Sequence, residues 1–287
     1  FRHSRSQESV LTMTCSRRFV VTAATGLATL FTLASPAAAQ LFAPPSDYPV
    51  GEIYHVELFG GLWTASPDMT VSSDAFGIAG TEIDFMNDLG IGTEKFGELR
   101  IRLRPARKHR FRIDYIPAKF SAQNTVERRI VFRGIAYDIG LPVTSALTWR
   151  TWRLGYEYDI IHRSGGYFGL ILEAKYTDIE ASLDAPPLAR EFTRARGPIP
   201  AIGAIVKVYP LSVLAVTAEV SGLKVPNNAL ESFKGEYIDF DISATLNFIE
   251  NLGVQAGYRS LDLNVSSNEE AVALKLTGAY VGALLRF

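Results

Sequence analysis

The sequence predicts an all-β fold, a closed antiparallel transmembrane β-barrel of about ten strands, with eight or twelve strands as open alternatives. Three observations predict it. Apolar residues recur at every second position through most of the chain after Gly51, which is the period of a β-strand. Short and long connections alternate between the predicted strands. The final segment places one wholly apolar face on Ala279, Val281, Ala283, Leu285 and Phe287.

The ten predicted strands are recognised by this alternation, and they cover residues 52–64, 94–104, 110–123, 143–160, 166–181, 199–209, 213–225, 235–248, 252–264 and 271–287. The clearest runs from Ile238 to Phe248, where the even-numbered residues are all apolar. In a soluble sandwich this face would be core, whereas in a membrane barrel it faces lipid and the other face lines the lumen. Residues 80–92 could add or extend a strand, and Pro117 predicts a bulge in the third one.

The connections favour the membrane barrel over the sandwich. Tight turns are predicted at residues 105–109, 161–165, 210–212 and 249–251, and mostly much longer connections at 65–93, 124–142, 182–198, 226–234 and 265–270. Short periplasmic turns that alternate with longer extracellular loops are typical of bacterial outer-membrane barrels. After Gln40 no apolar run approaches the ~20 residues that a membrane helix needs. We therefore expect the chain in the bacterial outer membrane.

Two turns fix the predicted register. Pairing about Arg107 places Leu103 opposite Phe111, and pairing about Glu250 places Leu246 opposite Val254, so both hairpins have consistent apolar faces. Aromatic residues that fall toward predicted strand ends are expected to form interfacial girdles. They are Trp152, Tyr156, Tyr158, Phe168, Phe248 and Phe287.

The opposite face is expected to line the lumen with a dense network of mixed charge. Its members are Arg100, Arg102, Arg104, Arg110, Arg112, Asp114, Arg153, Glu157, Asp159, Glu173, Lys175, Lys207, Glu219, Asp239, Asp241 and Arg259. The register places Arg100 beside Asp114, Arg104 beside Arg110, and Asp241 opposite Arg259 as an expected ion pair. One interpretation is a small pore that prefers anions near the arginines. The favoured one is a salt-bridged plug, because a barrel of ~8 strands is only just wide enough for its own side chains.

The first residues predict secretion. A basic pair at Arg17 and Arg18, an apolar run from Phe19 to Leu33 and a small-residue site ending at Ala39 form a secretory signal. We expect residues 1–39 to be an upstream extension plus signal peptide, 40–51 a periplasmic lead-in and 52–287 the barrel. Because Cys15 falls in the signal, the expected mature chain has no cysteine for disulfides, thiolate catalysis or zinc binding.

The sequence gives little support for a catalytic function. Rim enzymes of outer-membrane barrels use histidine, but His109 and His162 fall in predicted periplasmic turns and His3 in the discarded segment. His55, low on the first strand near Glu57, is expected to be structural. We therefore expect no enzyme, and a rim enzyme is the least favoured alternative.

The sequence gives little support for a metal or cofactor site either. The first long connection carries five acids that could bind calcium, namely Asp68, Asp74, Glu82, Asp84 and Asp88. Their spacing matches no calcium loop, so a solvated acidic loop is favoured. We expect no metal site and no cofactor.

Three motifs resemble a group of functionally uncharacterised outer-membrane barrels of Gram-negative bacteria. They are an Asp-Leu-Gly segment at residues 88–90, a Lys-His-Arg turn at 108–110 and a Leu-Gly-Tyr-x-Tyr strand at 154–158, within about residues 80–160. The resemblance implies the barrel fold and no known activity.

The ending at Leu285 and Phe287 resembles the C-terminal assembly signal of outer-membrane barrels. Expected partners are therefore outer-membrane lipids, lipopolysaccharide and the barrel-assembly machinery. No basic stripe suggests nucleic acid. We expect a structural or interaction role in which extracellular loops carry the specificity.

Overall fold

The computed structural model describes residues 49–73, 81–132, 135–186, 191–224, 233–267 and 270–287. The predicted signal peptide, residues 40–48 of the predicted lead-in and Asp74 lie outside the described residues. Within these ranges no helix is long and apolar enough to cross a membrane.

Ten long strands form a closed antiparallel barrel, which confirms the predicted fold class and decides against eight or twelve strands. They are β1 (Val56–Ser73), β3 (Glu94–Ala106), β4 (His109–Thr125), β7 (Pro142–Arg163), β8 (Gly166–Asp184), β9 (Glu191–Leu211), β10 (Leu214–Lys224), β11 (Phe233–Ile249), β12 (Leu252–Ser267) and β13 (Glu270–Arg286). Each pairs with the next, and β13 pairs with β1 to close the sheet. Three short strands accompany them, β2 (Ile83–Asp84), β5 (Ile130–Phe132) and β6 (Ile135–Tyr137).

The two ends of the barrel differ. Two-residue connections at 107–108, 164–165, 212–213 and 250–251 lie at the end where β1 begins and β13 finishes, here named the turn end. The opposite end is named the loop end. Most strands run further toward the loop end than predicted: β1 continues to Ser73 and β9 already begins at Glu191. The predicted long connection at 265–270 is wrong, because β12 ends at Ser267 and β13 begins at Glu270.

The predicted register is confirmed at both hairpins, with Leu103 opposite Phe111 and Leu246 opposite Val254. The β3–β4 pairing shifts after Leu103, so the predicted Arg104–Arg110 pairing is wrong. No bulge occurs at Pro117, which lies opposite Arg150 in an unshifted β4–β7 ladder. The β3–β4 ladder has already ended at Tyr115, so the missing N–H of this proline leaves no gap in it.

The apolar face of several strands changes sides part-way along. On β7, Leu154 and Tyr158 face outward, whereas Val143, Leu147 and Trp149 are buried inside. On four more strands an outward-facing apolar pair lies toward the turn end and an inward-facing apolar pair toward the loop end. The outward and inward pairs are Phe111, Tyr115 and Ile116, Phe120 on β4; Leu170, Leu172 and Ile179, Leu183 on β8; Val254, Tyr258 and Leu261, Leu263 on β12; and Val281, Leu285 and Leu274, Leu276 on β13. The barrel is thus apolar outside toward the turn end and apolar inside toward the loop end.

The change falls at one level of the wall. Tyr115, Trp152 and Tyr176 face outward and lie opposite one another on β4, β7 and β8, with the Tyr115 and Trp152 rings 4.4 Å apart. The next outward row toward the loop end is Arg150, Asp178 and Arg196. This aromatic row followed by a charged row marks a membrane interface. Trp152 therefore belongs to a girdle, but in the middle of β7 and not toward its end as predicted, since the strand continues outside the membrane.

Candidate functional site

The turn-end half of the barrel encloses a charged layer in which, among the described residues, cations and carboxylates are equal in number. Its ten cations are Arg100, Arg102, Arg104, Arg110, Arg112, Arg153, Lys175, Lys207, Arg259 and Arg286; its ten carboxylates are Glu52, Glu57, Glu98, Asp114, Glu157, Asp159, Glu173, Glu219, Asp239 and Asp241. Each has an opposite charge no more than 3.7 Å away. The formal charges of the layer cancel.

Asp239 is one hub of this layer. Arg259 donates to it through Nε at 3.0 Å and Nη2 at 2.7 Å, and Lys175 and Arg153 approach its Oδ2 to 3.2 Å each. The expected ion pair between Asp241 and Arg259 is therefore wrong, although their backbones lie opposite each other. Side chains lean along a strand, so Arg259 reaches the diagonal neighbour, which lies within range of a long side chain.

Asp241 has other partners. It accepts a hydrogen bond from the Tyr280 hydroxyl at 2.8 Å and lies 3.4 Å from Arg100. Arg100 also binds Glu98 at 2.9 Å and not its predicted neighbour Asp114, whose carboxylate binds Arg102. A pairing scheme taken from register alone thus identifies the inward residues but misses their partners.

Arg110 is the second hub, near the turn end. Its Nη1 binds both oxygens of Asp159 at 2.6 and 2.7 Å and Glu157 at 3.0 Å, while Nη2 reaches Glu52 at 3.2 Å. Glu52 lies before β1 and also accepts a hydrogen bond from the Tyr209 hydroxyl. The residues just before the first strand therefore cap the charged layer from inside.

Four charged residues of the layer were not predicted from the sequence: three carboxylates and one cation. Glu98 was detectable, because it lies two residues before Arg100 on the same strand face. Glu57 and Arg286, which pair at 2.6 Å, follow the same alternation on the closing strands. Glu52 precedes the strand, so no periodicity points to it.

Little open space remains between these charges. A cavity of about 70 Å³ lies among Arg100, Arg112, Glu219 and Arg286. One water needs at least ~10–15 Å³ of such volume. The cavity is therefore large enough for a few waters.

The loop-end half of the interior is apolar. Side chains from the first and second connections pack into it, namely Ile83, Phe85, Leu89, Ile91, Val126, Ile130, Phe132 and Tyr137. They meet inward aromatic residues of the wall, including Trp63, Phe96 and Phe120, whose rings form successive edge-to-face pairs with centroids 5.1 and 5.9 Å apart. Residues 81–92 thus supply apolar side chains to the core, while their acids lie at the surface: Glu82 is exposed, and Asp84 and Asp88 are half-buried.

The acids of this segment organise its backbone. The Asp84 carboxylate accepts hydrogen bonds from the N–H groups of Met86 and Asn87, both at 2.9 Å. Arg128 of the second connection donates to Asp88 from Nε at 2.8 Å and Nη2 at 2.5 Å. This hydrogen bond lowers the pKa of the Asp88 carboxyl below its usual value. Across the described ranges, no group of three or more His, Cys, Asp or Glu is arranged to hold a metal ion.

Two of the sequence motifs gain a physical role. In the Asp-Leu-Gly segment, Asp88 binds Arg128, Leu89 is buried and Gly90 has a φ of +72°, which glycine adopts without strain. In the Leu-Gly-Tyr-x-Tyr strand, Gly155 faces inward, where an added Cβ would come 3.2 Å from Cβ of Glu173.

The three described histidines lie toward the turn end. The Nδ1 atom of His55 is 3.3 Å from the Arg104 carbonyl oxygen. The Nδ1 atom of His109 is 2.6 Å from the Tyr156 hydroxyl. His162 lies 3.1 Å from Asp159, which is already bound to Arg110.

The residues of the resembled assembly signal lie where the barrel closes. Leu285 faces outward between Leu58 and Leu252 of the neighbouring strands. The backbone of Phe287 exchanges hydrogen bonds with Val56 and accepts one from His55, at 2.7 to 3.0 Å.

Comparison with known proteins supports the fold and no finer assignment. No protein-family model matches the sequence, and no curated protein matches it. The outer membrane protease OmpT from Escherichia coli aligns over 84% of this chain and 99% of its own, with a TM-score of 0.51 and 7% identity. The translocator domain of the autotransporter NalP from Neisseria meningitidis aligns over 93% of this chain and 98% of its own, with a TM-score of 0.43 and 8% identity.

The outer wall decides the location. Apolar side chains that face outward and are at least a third exposed encircle the turn-end half, including Leu62, Leu99, Phe111, Leu154, Leu172, Ile202, Val220, Ile242, Val254 and Val281. A closed sheet with this belt satisfies its backbone internally and presents only apolar groups to lipid. The chain is an integral β-barrel of the bacterial outer membrane.

Proposed function

We propose that this barrel is a non-conducting structural or interaction protein whose loop end carries its specificity. One observation carries the proposal: the lumen holds a neutral charged layer and an apolar core in series. The charged layer supports closure from the turn end, because its charges are matched with one another and not left for a passing ion. The apolar core supports closure from the loop end, because water must displace packed side chains to enter.

The alternative, a small anion-preferring pore, requires an excess of positive charge along a continuous path. The ten cations and ten carboxylates of the layer give no such excess. A buried charge left without its partner costs ~3–5 kcal/mol. Opening a path through this layer would separate several such pairs.

We further propose that the chain is not an enzyme, although OmpT, which shares its fold, is a protease by name. The described histidines face the turn end, away from the surface where a rim enzyme would meet its substrate. The resemblance of residues 80–160 to uncharacterised barrels agrees with this, since its motifs supply the Asp88–Arg128 contact, the Arg110 hub and Gly155 in place of a catalytic group.

Conductance in planar lipid bilayers tests the proposal. Purified barrel should give no stable current steps, while a known porin in the same bilayers supplies the positive control. Reproducible steps from the unmodified barrel would overturn the proposal, and a reversal potential set by the anion would favour the pore.

A matched variant tests the two layers separately. Residues 81–92 are replaced by a glycine-serine linker, which removes part of the apolar core and leaves the charged layer intact. We expect this variant to remain closed. Current steps from the variant alone would mean that the apolar core closes the natural barrel, which agrees with the proposal.

A further inference from the structure

Among the described residues, the loop-end part of β9 is paired along one side only. The β9–β10 ladder ends at Ile202 opposite Gly222, and β10 itself ends at Lys224, whereas β9 extends back to Glu191. On its other side β9 stays paired with β8 as far as Glu191. Within the described ranges, the loop-end part of β9 thus has a strand partner on one side only.

Two prolines stand where the missing ladder would continue. Pro198 and Pro200 lie opposite Tyr176 and Ala174 of β8, and both face outward. Proline has no N–H to donate, so it is confined to strand edges. Residues of equal parity on a strand direct their nitrogens to the same neighbour. Since Tyr209 directs its N–H to Gly165 beside β8, the even-numbered prolines face the other neighbour, and the gap that the described residues leave on that side is named the seam between β9 and β10–β11.

The seam holds an apolar cavity of about 130 Å³. Its lining combines inward-facing Ile199, Leu223, Tyr237 and Leu263 with the outward-facing prolines and with Glu236. Tyr237 and Leu263 belong to the apolar core of the loop-end half. The cavity is therefore lined by residues of both faces of the wall.

A groove on the outer wall adjoins it. The groove has an apolar lining and a volume of about 710 Å³. It lies between Leu172, Ile202, Val220 and Ile238, where the small outward residues Ala204 and Gly222 leave room. Ile202 and Leu172 are 68% and 62% exposed, on the belt that faces lipid. The seam lies at the level of Tyr176, where the apolar face changes from outside to inside. An apolar molecule in the groove thus lies within one or two residues of the cavity along β9, β10 and β11.

Of the charges near the cavity, Glu236 is paired with Lys224 at 2.8 Å, and the cation on β9 suits an anionic head. Arg196 faces outward two residues before Pro198, in the interfacial row with Arg150 and Asp178, and is exposed. Two strand residues span ~7 Å. A guanidinium at this distance from an apolar opening matches a carboxylate at the end of an alkyl chain.

We propose that the seam between β9 and β10–β11 is a binding site for one long-chain fatty acid drawn from the outer leaflet, with its carboxylate at Arg196 and its chain entering toward Tyr237 and Leu263. The lipid leaflet is the apolar medium in contact with the groove, and a chain in the cavity restores contacts that its lining otherwise lacks.

Photolabelling tests the position of the chain. Palmitic acid with a diazirine near its methyl end is irradiated with the barrel in lipid nanodiscs, and labelled residues are identified by mass spectrometry. We expect labelling of Tyr237 or Leu263, at most 3% exposed, and its loss when unlabelled palmitic acid is added. Labelling confined to outward residues such as Ile202 and Ile238 would overturn the proposal.

Variants separate the site from general partitioning into lipid. Ile199→Trp fills the cavity and should abolish the inward labels, while Ile242→Trp adds the same bulk to the belt elsewhere and should retain them. Folding of each variant is checked by its heat-dependent gel mobility, and Leu223→Trp replaces Ile199→Trp if that variant does not fold. Equal inward labelling in all folded variants would contradict the site.

The head and the single chain are tested separately. Arg196→Gln should weaken competition by palmitic acid roughly two- to fivefold, as for an exposed ion pair, and leave competition by the neutral alcohol unchanged. Arg150→Gln, in the same interfacial row, is the control and should change neither. Equal effects of the two variants would overturn the role of Arg196. A diazirine phospholipid that labels Tyr237 as efficiently as palmitic acid would overturn the single-chain assignment.

Discussion

At the scale of residues, the charged layer is stabilised by shared partners and not by isolated pairs. Asp239 contacts three cations and Arg110 three carboxylates. Burying a charge costs several kcal/mol unless it is paired and hydrogen-bonded. Because each hub has several partners, removal of one partner leaves the others to stabilise the remaining charge.

This arrangement predicts which pairs are energetically coupled. In a double-mutant cycle of Arg259→Ala and Asp239→Ala, we expect a coupling free energy of ~1–3 kcal/mol, the range for residues in direct contact. Denaturant unfolding of the barrel in lipid measures it. The cycle of Arg259→Ala with Asp241→Ala is the control, since these residues are opposite in register but bind different partners, and its coupling should be smaller. A larger coupling for Asp241 than for Asp239 would contradict the diagonal contact.

The sequence was sufficient to identify the inward residues but not their contacts. Alternation assigned the faces of Asp239, Asp241 and Arg259 correctly, because side-chain direction follows residue parity. Their pairing depends on the lean of long side chains in a twisted sheet, which a sequence pattern does not report. Glu52 was missed for a different reason: it lies outside any strand.

At the scale of elements, the strands serve two solvents. Toward the turn end they face lipid outside and charges inside; toward the loop end they face water outside and an apolar core inside. A strand can do both because its apolar residues change from even to odd positions, or the reverse, while the ladder of backbone hydrogen bonds continues without a break. On β7 the change is between Trp149 and Trp152, which are buried and 47% exposed.

Matched alanine variants on β7 test this exchange. Leu147→Ala should destabilise the barrel by ~2–5 kcal/mol, since Leu147 is fully buried in the core. Thr148→Ala, its outward neighbour, should change stability by less than ~0.5 kcal/mol. Unfolding free energies in lipid measure both. Equal effects would mean that the loop-end interior is not a packed core.

The contact between the first and second connections should respond to acid. Because Arg128 lowers the folded-state pKa of Asp88, the pair contributes stability above the unfolded pKa of ~3.9 and loses it as the pH falls through the folded value. The Arg128 side chain is 46% exposed, so we expect at most ~1 kcal/mol.

Hydrogen-exchange protection factors of residues 81–92, corrected for intrinsic rates, measure this effect. They should fall below about pH 4 in the natural chain. Arg128→Gln should start lower and show a smaller change over the same range. An identical acid response in both proteins would exclude Asp88–Arg128 as its cause.

The predicted bounds fell short mainly on two strands. β1 was predicted to end at residue 64 and continues to Ser73, and β9 was predicted to begin at residue 199 and begins at Glu191. On β7 the apolar residues change from odd positions (Val143–Trp149) to even positions (Trp152–Ile160), and the prediction of 143–160 already covered both sets. The inward apolar residues of 81–92 were unrecognised because their packing follows a folded turn with no regular period.

At the scale of the whole molecule, closure depends on the contact of the first and last strands. β1 and β13 pair from Glu57 opposite Arg286 to Ser73 opposite Glu270, a length of ladder similar to that between sequence neighbours. At its turn end the backbone of Phe287 adds hydrogen bonds to His55 and Val56. Its side chain is 66% exposed and faces lipid.

Deletion of Phe287 should lower the amount of assembled barrel, because it removes three backbone hydrogen bonds at the closure together with the resembled assembly signal. A closed barrel resists detergent until it is heated, so the fraction that shifts in gel mobility on boiling measures assembly in outer-membrane preparations.

Phe287→Ala keeps the backbone contacts and removes only the aromatic ring, and Phe287→Tyr keeps both. If the ring is the signal, Phe287→Ala should assemble as poorly as the deletion. If the backbone closure dominates, it should assemble nearly as well as Phe287→Tyr. Full assembly of the deletion variant would contradict both roles and leave the β1–β13 ladder sufficient to close the barrel.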